Sequence, residues 1–141
     1  MNGRILGLDV GDKRIGIAFS DETQWIASPH SVYTRVGWGP DVKHIQKLYA
    51  DHAAVLVVCG LPKNMDGTVG FQAEKVISFA EKLKEAGLPV AFQDERLSTV
   101  SAHQALIAGG MRRDQRKGTV DKVAAAVILQ SYLDAQRERS E

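Results

Sequence analysis

The chain has 141 residues, is 44% hydrophobic and 25% charged, and carries a formal net charge of +1. That length is typical of one domain and can bury a core that needs no disulfide or metal staple. The balanced charge excludes any inference of nucleic-acid binding from net charge alone, so local clusters must carry it. Cys59 is the single cysteine. It cannot form an internal disulfide, and its apolar surroundings mark it as a core residue in a reducing compartment. The opening MNGRILGLDVG has an acid and glycines where a signal peptide needs an apolar block, and no window reaches the ~18 apolar residues of a membrane span. A cytoplasmic protein is expected.

Ile5 to Val10 is a short apolar run ending in Asp9-Val10-Gly11, and Arg14 to Ser20 alternates with β-branched and aromatic residues. Gly11-Asp12-Lys13 between them is turn chemistry, so the two runs should pair as a hairpin. A third strand is expected between Ile26 and Thr34, with Pro29 demanding an edge or a bulge. Asp41 to His52 then places Val42, Ile45, Leu48 and Tyr49 on one helical stripe. Ala54 to Cys59 is continuously apolar, as a strand covered on both faces would be. The spacing predicts a helix over Val69 to Ala86, with Val69, Ala73, Val76, Ile77, Ala80 and Leu83 on one side, Gly87 at its C-terminal cap and Pro89 beyond. Val90 to Asp94 reads as a strand. Thr99 to Ala108 reads as a helix stopped by Gly109-Gly110, and Thr119 to Gln136 as the last helix with Thr119 as N-cap.

Three strands, then helix, strand, helix, strand and two helices, describe an α/β chain: a mixed five-stranded sheet flanked by helices, in the order of an RNase H-like fold. A simple alternating Rossmann order is excluded, because no helices separate the first three strands.

Three carboxylates fall at element edges. Asp9 lies between Leu8 and Val10 at the end of the first strand, where an ionised group needs solvent, a partner or a metal; the competing reading is a turn-forming Asp before Gly11. Glu95 follows the last strand, where sites gather in α/β sheets; it could instead pair with Arg96 or cap a helix. Asp121 lies in the first turn of the expected last helix, where the macrodipole alone favours an acid. Converging carboxylates repel unless divalent cations neutralise them, and oxygen-only ligands suit Mg²⁺ or Mn²⁺. His30, His44, His52 and His103 are scattered and read as packing or surface residues.

Basic residues lie near these acids. Lys13 and Arg14 follow Asp9 in the hairpin turn and can reach a phosphate or simply be solvated. In GGMRRDQRKG, residues 109–118, Arg112, Arg113, Arg116 and Lys117 outnumber Asp114. Flanking glycines make this segment a loop feeding the helix of Asp121, positioned to hold phosphates without reading sequence. Lys63, Asn64, Asp66, Gly67 and Thr68 form a polar loop before a helix N-terminus, a candidate substrate contact. Trp25 and Trp38 can stack on unpaired bases, although packing is the expected role.

Four blocks carry a resemblance across nearly the whole chain: Gly7-Leu8-Asp9-Val10-Gly11 with Arg14-Ile15-Gly16; Gly60-Leu61-Pro62 with Asp66-Gly67; Asp94-Glu95-Arg96-Leu97-Ser98-Thr99; and Val120-Asp121 followed by Ala124-Ala125-Ala126 and Ile128-Leu129. With these the sequence resembles the YqgF family, also called the RuvX or Holliday-junction-resolvase-like family, described as a pre-16S rRNA nuclease. The resemblance implies residues 1–141 as a single RNase H-like nuclease domain and metal-dependent phosphodiester hydrolysis with Mg²⁺ or Mn²⁺. It implies a role in ribosome biogenesis, maturing the 5′ end of precursor small-subunit rRNA, free or in a pre-ribosomal particle. The family's acidic triad falls on Asp9, Glu95 and Asp121. Other readings stay open: a Holliday-junction DNA resolvase with the same acids, a non-catalytic nucleic-acid-binding module, and an ATPase opening on the Asp9-to-Gly11 turn, though ATPases of that kind clamp nucleotide between two domains.

Overall fold

The computed structural model describes residues 3–62, 69–94 and 113–140, with the backbone alone for 113–121 and 138–140. The strands are β1 (Arg4–Val10), β2 (Arg14–Ser20), β3 (Ala27–Thr34), β4 (Ala54–Leu61) and β5 (Val90–Asp94). The helices are α1 (Trp38–Asp51), α2 (Phe71–Glu85) and α3 (Arg113–Ser140). The expected helix at 99–108 and the polar loop at 63–68 lie outside the described residues.

The five strands form one sheet in the order β3-β2-β1-β4-β5. β1, β2 and β3 pair antiparallel as a meander, while β1, β4 and β5 are parallel. This is the mixed sheet read from the sequence. Pro29 behaves as expected: β3 is an edge strand, and its register skips His30, passing from Ile17↔Ser31 to Ala18↔Pro29.

Alternation along β1 divides the core in two. Leu6 and Leu8 face α1 and α2, packing with Ile45, Ala73, Val76, Phe79 and Leu83. Ile5 faces the other way and packs with Ala125, Ile128, Leu129 and Leu133 of α3. Cys59 is wholly buried in central β4, the core role expected of it. The α2 stripe holds from Ala73 to Leu83 as expected, with Phe79 fully buried beside it, whereas Val69 precedes the helix and is 47% exposed. Gly87 closes α2 as expected. It adopts φ +93°, with its N–H bonded to the Lys84 carbonyl and the Leu88 N–H to that of Leu83.

Two helix starts differ from expectation. α1 begins at Trp38, three residues before Asp41. Pro40 sits in its first turn, where the missing N–H is not needed. α3 begins at Arg113, so Thr119 is not its N-cap and 113–118 are helical rather than loop. The segment RDQRK consists mostly of good helix formers, and Gly118 costs only about 1 kcal/mol inside a helix. Among the described residues, no helix is long and apolar enough to cross a membrane.

The approach of α3 to the sheet is set by Gly7. A Cβ there would lie 2.8 Å from the Leu129 Cβ and 3.3 Å from the Ala125 carbonyl oxygen. The alanines at 124–126 keep the helix surface low on the same side. Gly7→Ala should therefore push α3 outward, costing about 1–3 kcal/mol. The expected drop in melting temperature is roughly 3–10 °C; an unchanged midpoint would show that α3 can give way freely.

Candidate active site

Asp9 stands two residues beyond Gly7 on the same strand, and so on the α3 face of the sheet, half-buried. Its neighbours follow from register. Across β2 it pairs with Gly16. On the other side, one step past the Leu8↔Cys59 pair, lies Gly60, which itself pairs with Gln93 of β5. Gly16, Asp9, Gly60 and Gln93 thus form a row across four strands. The residues in register with Asp9 on both neighbouring strands are thus glycines. Glycine in a strand interior is a mark of close approach by a ligand or another backbone.

The direction of α3 places Asp121 relative to this row. Gln130 Oε1 accepts the Ala27 N–H at the start of β3, and Arg137 Nη1 donates to the Trp25 carbonyl. That end of β3 pairs with the end of β2, where the Ser20 hydroxyl accepts the Ile5 N–H. The second half of α3 therefore lies by the beginning of β1, and the helix runs antiparallel to that strand. Position 121 is one turn before Ala125, about 6 Å along the axis toward the Asp9 end. Asp121 also lies in the third turn of α3, counted from Arg113. The macrodipole effect fades within the first turn, so stabilising a helix start no longer accounts for an acid here.

Glu95 is outside the described residues; β5 ends one residue earlier, at Asp94, paired with Leu61. β5 lies two strands from β1, roughly 10 Å away. Of the predicted phosphate contacts, Lys13 is exposed in the turn after β1 and Arg14 opens β2. Arg113, Arg116 and Lys117 occupy the first turns of α3, and Arg112 lies outside the described residues. Histidines are less scattered than expected: His30 and His52 pack with Phe19, their ring centres 5.1 Å apart. Burial first, and then the neighbouring His52 and His44, holds the His30 imidazole below its usual value.

Sequence reasoning missed a polar anchor beneath the site. Asp41 is wholly buried and accepts hydrogen bonds from the Val36 N–H (3.0 Å), the Gly37 N–H (3.3 Å) and Arg35 Nε (2.9 Å). Arg35 in turn grips the turn after Asp9: Nη1 donates to the Gly11 carbonyl and its backbone N–H to that of Lys13, each at 2.9 Å. The same turn is closed by the Gly11 N–H on the Arg14 carbonyl, 2.9 Å. The one signal in the sequence was an acid just after Gly-Pro, in the position of a helix first turn.

Burial pushes the Asp41 carboxyl up, but donors from Val36, Arg35, Tyr33 and Gly37 outweigh it, leaving the group below the usual carboxylate value. A depressed value adds stability above the ordinary carboxylate pKa, and that stability is lost as pH falls through the folded value. Asp41→Asn should destabilise by about 3 kcal/mol at neutral pH, because it leaves Arg35 without its counter-charge. The gap to the parent should close below about pH 4. Denaturant melts at both pH values read this directly; a constant gap would mean that packing, not charge, is what Asp41 supplies.

Comparison with known proteins bears on the family and the fold. The sequence profile of RuvX, described as a Holliday junction resolvase, matches residues 3–135. A relative from Caldanaerobacter subterraneus subsp. tengcongensis, bearing the name "Putative pre-16S rRNA nuclease", is 51% identical over 95% of this chain and 98% of its own. One from Clostridioides difficile with the same name is 47% identical over 95% and 96%. Among solved structures, Thermus thermophilus RuvC in complex with a Holliday junction substrate superposes with TM-score 0.60 at 14% identity, covering 96% of both chains. The large terminase nuclease of the thermophilic phage G20c gives 0.59 at 13% identity, covering 92% of this chain and 82% of its own. At such identities the likeness shows the fold, which is RNase H-like.

Proposed function

Because the chain belongs to the RuvX family of nucleases, we propose that it hydrolyses phosphodiester bonds in precursor small-subunit rRNA, maturing the 5′ end. In this reading residues 1–141 work as one cytoplasmic nuclease domain on free precursor or a pre-ribosomal particle, with Asp9, Glu95 and Asp121 as its acids. The observation that carries it is the row at the sheet edge: a carboxylate flanked by two glycines, with α3 held close enough on Gly7 to bring position 121 toward it.

The donor set fits a divalent cation. Asp9 is half-buried between register partners that are both glycines, and carboxylate oxygens suit Mg²⁺ or Mn²⁺. Bound cations supply the activation of water and the charge neutralisation that phosphodiester hydrolysis needs. Asp9, Glu95 and Asp121 hold them. Lys13 and Arg14, with Arg112, Arg113, Arg116 and Lys117, hold flanking phosphates. The Arg35 clamp keeps the turn carrying Lys13 and Arg14 in register with Asp9. RNA is favoured over a DNA junction because relatives near 50% identity carry the rRNA name, whereas the junction resolvases share the fold at low identity.

The deciding experiment incubates purified protein with precursor small-subunit rRNA, and separately with a four-way DNA junction, in Mg²⁺ or Mn²⁺. Asp9→Asn, Glu95→Gln and Asp121→Asn should each nearly abolish cleavage, without additivity, because the site acts as a unit. Parent-like turnover in any one would remove that acid from the set.

Metal binding should also appear in stability. Mg²⁺ at about a hundred times its dissociation constant should stabilise the folded parent by about 2.7 kcal/mol. Asp9→Asn should respond much less; equal responses would exclude Asp9 as a principal ligand. Neutralising Arg112, Arg113, Arg116 and Lys117 should lower the salt slope of RNA binding by about 0.7 per lost phosphate contact. An unchanged slope would mean these cations stay solvated.

A further inference from the structure

Among the described residues, six large hydrophobic side chains are exposed, and two of them, Trp38 and Phe71, are linked through a cation to the turn after Asp9. Trp38 and Phe71 are the first residues of α1 and α2, 48% and 71% exposed. Trp38 rests one side near the core ring of Phe79, centres 6.0 Å apart, and leaves about half of itself to solvent, while Phe71 lies largely outside the core. Exposed aromatic surface gathered in one place is a mark of recognition rather than of folding.

Each ring is fixed to the turn by a cation lying over one face. Arg35 Cζ is 5.3 Å from the Trp38 ring centre while Nη1 holds the Gly11 carbonyl. Lys75 Nζ is 4.3 Å from the Phe71 ring centre and 3.0 Å from the Asp12 carboxylate. Two rings on separate helices are thereby tied to consecutive residues of one turn, just past the candidate catalytic Asp9. They lie on the α1 and α2 side of the sheet edge, whereas Asp9 stands on the α3 side.

We infer that Trp38 and Phe71 are a stacking platform for unpaired bases of the RNA strand whose backbone crosses the sheet edge at Asp9. The inference rests on the nuclease reading above and adds what kind of strand the site accepts. The occupant follows from continuity with that site and from charge: Lys13 is exposed on the same turn, so a strand on the rings finds a cation for its phosphates. In a duplex the base faces are covered by their neighbours, and sequence-tolerant stacking on protein rings requires unstacked bases. The platform therefore selects single-stranded segments while reading no particular sequence.

Trp38 is its own reporter, because the chain has only two tryptophans. Trp25→Phe leaves Trp38 as the sole indole, and Trp38→Phe leaves Trp25, which lies against Arg137 of α3. Both proteins are titrated with a short oligouridylate in chelator, so that nothing is cleaved, and binding is followed in parallel by anisotropy of labelled RNA. Quenching is expected in Trp25→Phe and not in Trp38→Phe, and an RNA hairpin stem should quench neither. Phe71→Ala should weaken oligouridylate binding about tenfold, within the range for one base stack, with an unchanged melting temperature. Binding without quenching of Trp38, equal quenching of Trp25, equal quenching by the stem, or no binding at all would each overturn the platform. Quenching as expected, with no cleavage of precursor rRNA by any form of the protein, would leave the platform standing and sink the nuclease reading.

Discussion

The contact of α3 with Gly7 is the constraint on which the rest depends. With a hydrogen where other residues carry a Cβ, β1 lets the Ala125 and Leu129 turns of the helix settle onto the sheet. Depth and direction are then fixed together, since Gln130 and Arg137 fasten the other half of the helix near the start of β3. A one-residue slip of β1 would exchange Asp9 for an apolar neighbour and drive a larger side chain into α3. The core contact at Gly7 and the position of Asp9 are therefore set by one register.

A second, polar device works from the opposite side of the sheet. Arg35 is held by the buried Asp41 and by two aromatic rings, and it donates from Nη1 and its backbone N–H to the turn that follows Asp9. A buried ion pair is weak evidence for stability, because desolvation offsets its attraction. Its value here is positional: it fastens the start of α1 to the site edge without crowding the face on which Asp9 stands. Packing above and charge below restrain the same short stretch of chain.

The strands were legible because alternation is a local property. β1, β2 and β5 lie within a residue or so of their expected bounds, and Pro29 announced both the edge and the skipped His30. Helix starts were less legible: glycine and proline near 37–40, and glycine at 118, read as punctuation, yet α1 begins at Trp38 and α3 runs through Gly118. Asp9 was visible as a charge breaking an apolar strand. The glycines beside it were not, since Gly16 and Gly60 become its neighbours only through register with two other strands. The same holds for Arg35 and Asp41: each looks like an ordinary surface charge until the turn at Gly11 folds back against them. Phe79 was passed over although it lies on the same face of α2 as Ala73, Val76, Ala80 and Leu83.

The sheet order has a consequence for synthesis. β1, β2 and β3 are consecutive in the chain and pair as a meander, so Asp9 can be seated in a sheet early. The helix that covers its face comes from the far part of the sequence. At ordinary elongation rates of about 5–20 residues per second, several seconds separate the appearance of the strand from that of the helix. For the first part of that interval the nascent chain carries Asp9 alone, and Glu95 follows before the last helix does. In the proposed reading the set of acids comes together only when the long-range contact on Gly7 closes.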